Sequence, residues 1–438
     1  MAAGRGRDDR DGAPASERAY RALGHRDYRV LWAGQFASTL GTRVQQVAIA
    51  WQVYLLTGSA LQLGLLGLVR FVPIALFGIM GGVVADRGDR RRTLLLSQVA
   101  LLLSSAMLAL MTLTNSASIG AIYAVTFLSA AVGTVAGPTY QALVPALVDR
   151  RHLPGAMTMN ILASQVAAVS GPALGGAIIA RFGIAPAYGM DALSFGAVIA
   201  ALLAMRLTPR LPGATTLGLA AALEGLRFLR RSPALLGVMT VDFLATFFGA
   251  STVLMPIFTT RVFGVGAAGL GLLLAAPAAG AVVASVVMGG ARTARRPGAG
   301  VLVAVAVYGV CLLGFGLSRE LWLSLAFLAG SGGADAVSMA LRHTLRNLAT
   351  PDTLRGRIAA AHATFAMGGP QLGEFEAGAA AALLGAGPAV AIGGLGTLVT
   401  VAIVARRVPA IAAYRFTADP AGAACRGLVE RNQAPNPE

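Results

Sequence analysis

Uncharged apolar runs recur along the chain, each set off from the next by a short cluster of Arg, Gly, Pro, Asn or Asp. A helix rising 1.5 Å per residue crosses the ~30 Å hydrocarbon layer in about 20 residues. Thr93 to Val148 contains no charged residue, which is room for two such helices around a turn at Asn115–Ser118. The same reading of the whole chain predicts twelve spans, near 31–56, 60–85, 93–114, 119–142, 156–180, 186–205, 233–260, 265–290, 298–317, 321–341, 358–384 and 388–405. The predicted class is an all-α polytopic membrane protein.

Composition removes the competing classes. Hydrophobic residues make up 56% of the 438 and charged residues only 12%, whereas a soluble domain carries roughly 25% charged residues. Such a chain cannot cover a water-facing surface, and it is too hydrophobic for disorder. Two cysteines exclude a disulfide scaffold, and 55 glycines without a triplet period exclude collagen. The net charge of +16 would suggest nucleic acid in a soluble protein. Its placement argues otherwise: thirty of the 35 basic residues, all arginines, fall on one side of the twelve-span map, and only Arg181, Arg261 and Arg319 on the other. Basic residues concentrate in cytoplasmic loops, so both termini are expected in the cytoplasm, with the lipid bilayer and not nucleic acid as partner. Residues 1–29 mix Arg with Asp and Glu and have no apolar core before a cleavage site, so they read as a cytoplasmic tail.

The spans divide into two halves, 30–205 and 233–405, flanking a cytoplasmic linker at 206–232 and followed by a cytoplasmic tail at 406–438. Within the linker, Leu219–Leu229 reads as a short amphipathic helix at the membrane surface. Gly171-Pro172-x-x-Gly175 in the fifth span returns as Gly369-Pro370-x-x-Gly373 in the eleventh. Arginine clusters follow both the second span (Asp86-Arg87, Arg90–Arg92) and the eighth (Arg292, Arg295, Arg296). Parallel repeats of this kind place a binding cavity where the halves meet.

These residues resemble the major facilitator superfamily. Gly82-x-x-x-Asp86-Arg87 with Arg90, Arg91 and Arg92 is similar to its signature loop after span two, although Asp89 stands where a second glycine is usual. That change, with Gly225–Leu229 and Pro351-Asp352-x-x-Arg355-Gly356-Arg357, resembles the enterobactin-exporter-like branch, which exports siderophores or drugs. The resemblance covers about residues 20 to 408 and implies twelve helices around a central cavity. It also implies that Gly171, Pro172, Gly175 and Gly176 form an antiporter-like motif, and that Gly82, Asp86, Arg87, Arg90 and Arg91 form a conformational latch. Tight helix packing and a purely topological loop are the plainer readings of the same residues.

Charged residues inside spans cost about 2.5–3.5 kcal/mol each on insertion scales, so they are functional candidates by default. There are seven: Arg43, Arg70, Asp191, Asp242, Asp335, Glu374 and Glu376. Asp191 sits near the outer end of its span and is expected within reach of water as a structural anchor. Arg43 and Arg70 lie at similar depth in neighbouring spans; each either bonds carbonyls or an acid of its own half, or faces the cavity to meet an acidic substrate or the acids of the other half. Asp335, Glu374, Asp242 and Glu376 are proton-coupling candidates, with Asp335 and Glu374 foremost because their half shows no buried arginine of its own. Glu374 and Glu376 are about 200° apart around a helix, so only one faces a given neighbour.

The four histidines show no metal-ligand spacing, and no Walker, HExxH or GxSxG motif occurs. No metal, cofactor or enzymatic activity is therefore expected. The expected function is a proton-coupled exporter of a small amphipathic molecule, acting as a monomer in a bacterial inner membrane. Import or facilitated passage of a polar metabolite is the alternative, and a non-transporting receptor or scaffold a further one.

Overall fold

The computed structural model describes residues 21–87, 89–206, 233–290, 297–349 and 355–408; the side chains of 79–88, 233–235, 238, 289–290, 297, 346–349 and 355–367 lie outside the description. Most of both tails and the linker, including Leu219–Leu229, therefore fall outside it. Twelve long helices follow in order: α1 (Arg26–Thr57), α2 (Ala60–Arg87), α3 (Arg90–Leu113), α4 (Ile119–Leu147), α5 (Leu153–Phe182), α6 (Ile184–Ala204), α7 (Pro233–Phe248), α8 (Gly266–Gly290), α9 (Pro297–Leu317), α10 (Leu321–Ala349), α11 (Arg355–Leu384) and α12 (Ala386–Arg407).

Several boundaries differ from the hydropathy reading. α1 begins inside the expected tail, because Asp27 is buried and accepts the amide of Arg206, tying the start of α1 to the end of α6. α10 runs eight residues past the expected end at 341, taking Arg342 into the helix. The expected seventh span is broken: α7 stops at Phe248, and the chain continues as a 3₁₀ turn (Ser251–Leu254), one α-turn (Met255–Ile257) and a π-turn (Phe258–Val262). Tyr308 Oη donates to the Gly249 carbonyl at 3.1 Å at the break, and Pro256 supplies no amide donor. Among the described residues, ten stretches are long and apolar enough to span a membrane. α1 is not among them, because it carries Arg43 and four glutamines.

Within the first half α6 packs on α1 and α3, α2 and α3 pack on α4, and α5 packs on α1; in the second, α10 packs on α8 and α9, α12 on α9, and α11 on α7. Polar side chains lock α1, α3 and α6 together twice. Gln45 donates to Ser105 at 2.7 Å, and Ser105 donates to the buried Asp191. One heptad further, Gln52 donates to Thr112 at 3.0 Å and accepts from Tyr188 at 2.7 Å. Asp191 is thus fully buried rather than water-accessible, since α6 packs against both partners along its length.

The halves meet along two seams, α2 against α11 and α5 against α8. At the end remote from the chain termini, one apolar cluster bridges them, with Trp51, Leu63 and Ile179 from the first half against Leu254, Phe258 and Leu270 from the second. Thr260 also donates to Tyr54 at 2.9 Å, and Arg261 to the carbonyl of Gly58 at 3.3 Å. At the termini-bearing end the described apolar side chains form two clusters, one confined to each half. Among the described side chains, the apolar contact between the halves is gathered at the far end.

Candidate functional site

A cavity of about 910 Å³ opens against the first half, beside the α2/α11 seam where Arg70 and Gln371 line it. Its lining is mixed. Ile49, Ile74, Leu101, Ile161 and Phe195 give apolar wall, and glutamine, serine and threonine side chains from α1, α3, α4 and α5 give polar wall. Among the described lining residues, Gln371 alone comes from the second half. α1 is polar because it lines this space with Gln35, Gln45 and Gln46.

Arg43 and Arg70 both line the cavity. Arg43 donates to its own-helix neighbour Gln46 at 3.2 Å, and among the described residues no carboxylate pairs with it. A Cβ on Gly171 would strike the Cβ of Arg43, so that glycine is what lets α5 close over the arginine stem. Arg70 reaches across the α2/α11 seam to Glu374 at 3.4 Å, with 22% and 16% of the two side chains exposed. Glu374 therefore faces the other half. Glu376 is half-buried and has no polar partner among the described residues.

Among the described residues, Asp242 and Asp335 pair inside their own half. Arg342, only 6% exposed, pairs with Asp242 at 3.0 Å and Asp335 at 3.3 Å, all within the second half. This corrects the expectation that the second half lacks a buried arginine. Reading Arg342 as a loop residue hid it, and the continuation of α10 beyond position 341 was the missing signal.

The GPxxG segments pack equivalently. Gly171 and Gly175 admit α1, at Arg43 and at Val44 and Val47, while Gly369 and Gly373 admit α7 at Phe243 and Phe247. The next residue differs: Gly176 meets Gly271 of α8, whereas its counterpart Glu374 lies over Gly67 of α2. Pro172, inside α5, turns its carbonyl toward Gly271.

In the signature loop, Asp89 caps α3, accepting from the amides of Arg91 (3.0 Å) and Arg92 (3.2 Å). This accounts for an acid where glycine is usual. Arg91 donates to the last carbonyls of α6, Leu202 (2.9 Å) and Leu203 (3.3 Å), and Arg90 donates to Ala142 of α4. Both tie helices within their own half. The side chains of Gly82, Asp86 and Arg87 lie outside the described residues.

One cluster had no sequence signal. His25 and His152 approach to 3.0 Å although 127 residues apart, with Asp149 Oδ2 3.9 Å from His25. Their donor atoms, all within 4.8 Å of one another, have the chemistry to hold a metal ion. Arg151 competes for Asp149 at 3.4 Å.

Two six-helix halves packed along two seams beside a cavity of mixed lining have the architecture of a secondary transporter. A family model described as a transmembrane secretion effector matches residues 18–420. Enterobactin exporter EntS of Citrobacter koseri is 30% identical over 336 residues, 76% of this chain and 80% of that protein. The EntS of Shigella boydii serotype 18 is 29% identical with the same coverage. Among solved structures, an inward-facing bacterial homologue of the human lysosomal transporter Spinster superposes with a TM-score of 0.67 at 16% identity, covering 93% of this chain and 100% of its own. A bacterial homologue of the iron transporter ferroportin gives 0.67 at 14% identity, covering 89% and 99%. The chain belongs to the transmembrane secretion effector family of the major facilitator superfamily.

Proposed function

We propose that the protein is a proton-coupled exporter of a small amphipathic molecule, working by alternating access as a monomer in a bacterial inner membrane with both termini in the cytoplasm. The cavity would then be open to the cytoplasm in this structure, ready to load cargo. Its mixed apolar and polar wall suits an amphipathic compound.

The observation that carries the coupling step is the Arg70–Glu374 pair. It joins the halves beside the cavity, so a proton on Glu374 would weaken one tie between them and leave Arg70 free for cargo. Glu374 thereby becomes the first candidate for coupling. Asp335 and Asp242, sharing Arg342 inside one half, become the second. Glu374→Gln should abolish efflux driven by an imposed pH gradient in vesicles while sparing counterflow exchange without a gradient. Accumulation at the normal rate would remove Glu374 from the coupling path.

The glutamine-rich wall favours one second reading, uptake or facilitated passage of a polar metabolite. Sided vesicles distinguish the two by the direction in which a proton gradient drives cargo. Orientation has its own test. Single cysteines at Ser59, Ser116 and Arg319, in a background without Cys311 and Cys425, should label from outside the cell, and one at Asp89 only after permeabilisation.

A further inference from the structure

Three arginines stand inside the described helices away from their ends or in a half's interior: Arg43, Arg70 and Arg342. Two are neutralised by carboxylates, Arg70 by Glu374 and Arg342 by Asp242 and Asp335. Arg43 is not. Its hydrogen bond to the Gln46 carbonyl oxygen supplies a dipole and no counter-charge. Asp191, the acid within the spans of the same half, is engaged by Ser105 and Thr42. A guanidinium in a cavity wall with no carboxylate on it among the described residues gains a charge-assisted partner when an anion arrives.

The remainder of the wall agrees in sign. No Asp or Glu lines the described cavity, so a cation would meet Arg43 and no compensating charge. The carbonyl oxygens of Gln35, Gln98 and Gln371 are buried in this wall without a hydrogen-bond partner. Each is sealed off in this structure, so a donor reaches it only when the side chain turns toward the cavity. A positive centre in a wall rich in glutamine, serine and threonine fits a molecule bearing both an acid and further polar groups.

We propose that the cargo is a small organic acid, bound as its anion on Arg43, with its other polar groups against the glutamine, serine and threonine side chains of the wall. This rests on the transporter reading above and adds the chemical class of ligand. It also gives Gly171 a definite part, since any side chain there would displace the stem of Arg43.

The test uses three probes of one frame and different charge, 1-naphthoate, 1-naphthamide and 1-naphthylmethylamine, titrated onto the purified full chain in nanodiscs by calorimetry. Naphthoate should bind about tenfold or more tightly than the amide, as a charge-assisted hydrogen bond would give, with the amine weakest. Arg43→Gln should bring naphthoate to near equality with the amide and leave the amide unchanged. Arg43→Lys, which keeps the charge, should retain most of the preference and guards against a folding defect in the first variant. Equal or tighter binding of the amide or amine overturns the proposal. So does a preference that survives Arg43→Gln, or failure of naphthoate to bind at millimolar concentration. Proton-driven efflux of a cationic compound would leave the exporter reading standing and sink the organic acid. Acid-selective binding without any proton-driven transport would do the reverse.

Discussion

The two seams between the halves occupy equivalent places in the repeat and are built from opposite materials. At α5/α8, backbone meets backbone: a Cβ on Gly176 would lie 2.6 Å from the Ala267 carbonyl oxygen and 2.8 Å from Gly271 Cα. At α2/α11 the same kind of crossing occurs at Gly64 and Gly378, but Glu374 stands over Gly67 and Arg70 answers it. Both seams keep the glycine that permits close approach, Gly67 six residues before Pro73 and Gly271 six before Pro277. Among the described residues, only the α2/α11 seam carries a titratable tie. Close packing alone makes a contact on which two bodies can rock, whereas an ion pair makes a contact whose strength a proton can change. The difference assigns different work to the two seams.

The largest effect expected from breaking this contrast is at the glycine seam. Gly176→Val has only backbone to push against, so it should abolish transport and lower the thermal midpoint of the purified protein, with overpacking costing about 1–3 kcal/mol or more. A normal midpoint with normal turnover would mean that the seam opens freely. Next comes the ion pair. Arg70→Gln and Glu374→Gln should each destabilise by about 1–3 kcal/mol, less than for a fully buried pair because both side chains keep some exposure. The double variant should be more stable than additivity predicts, and an additive cycle in thermal unfolding would show that the pair is not coupled.

Asp335→Asn is expected to cost less, about 1 kcal/mol, because Arg342 keeps Asp242 at 3.0 Å. Proton-driven efflux in vesicles sharpens the comparison: if Asp335→Asn loses it while Glu374→Gln keeps it, coupling belongs to the interior of the second half and not to the seam. The smallest effect is expected in the loop after α2. Asp86→Asn should slow efflux without impairing insertion, and more than Arg92→Gln does; equal and negligible changes in rate would leave the loop a topological signal.

How far these features could be read from the chain depends on how local their signals are. Spans are local, so charge-free runs such as Thr93–Val148 located helices well. The break after Phe248 was missed because hydropathy continues through Gly249 and Pro256 while the helix does not. Glu374 and Glu376 differ by 200° of rotation, and only a neighbouring helix decides which one meets an arginine. Arg342 was hidden by the rule that arginines after apolar runs belong to loops. The approach of His25 to His152 required tertiary structure, as did the confinement of nearly all described cavity lining to the first half. The glutamines of α1 are visible in the chain, but only the packing of α1 puts Gln35, Gln45 and Gln46 at the cavity.

The apolar cluster at the far end has a thermal consequence. Opening there must separate Trp51, Leu63 and Ile179 from Leu254, Phe258 and Leu270 and wet both faces. Wetting apolar surface raises the heat capacity, and the cohesion opposing it weakens on cooling. The balance between the two access states is therefore expected to curve with temperature, with the closure at the far end loosening in the cold. The rate of a transport step limited by that opening would trace a bent Arrhenius line, and the curvature would report how much of the cluster is parted in the stroke.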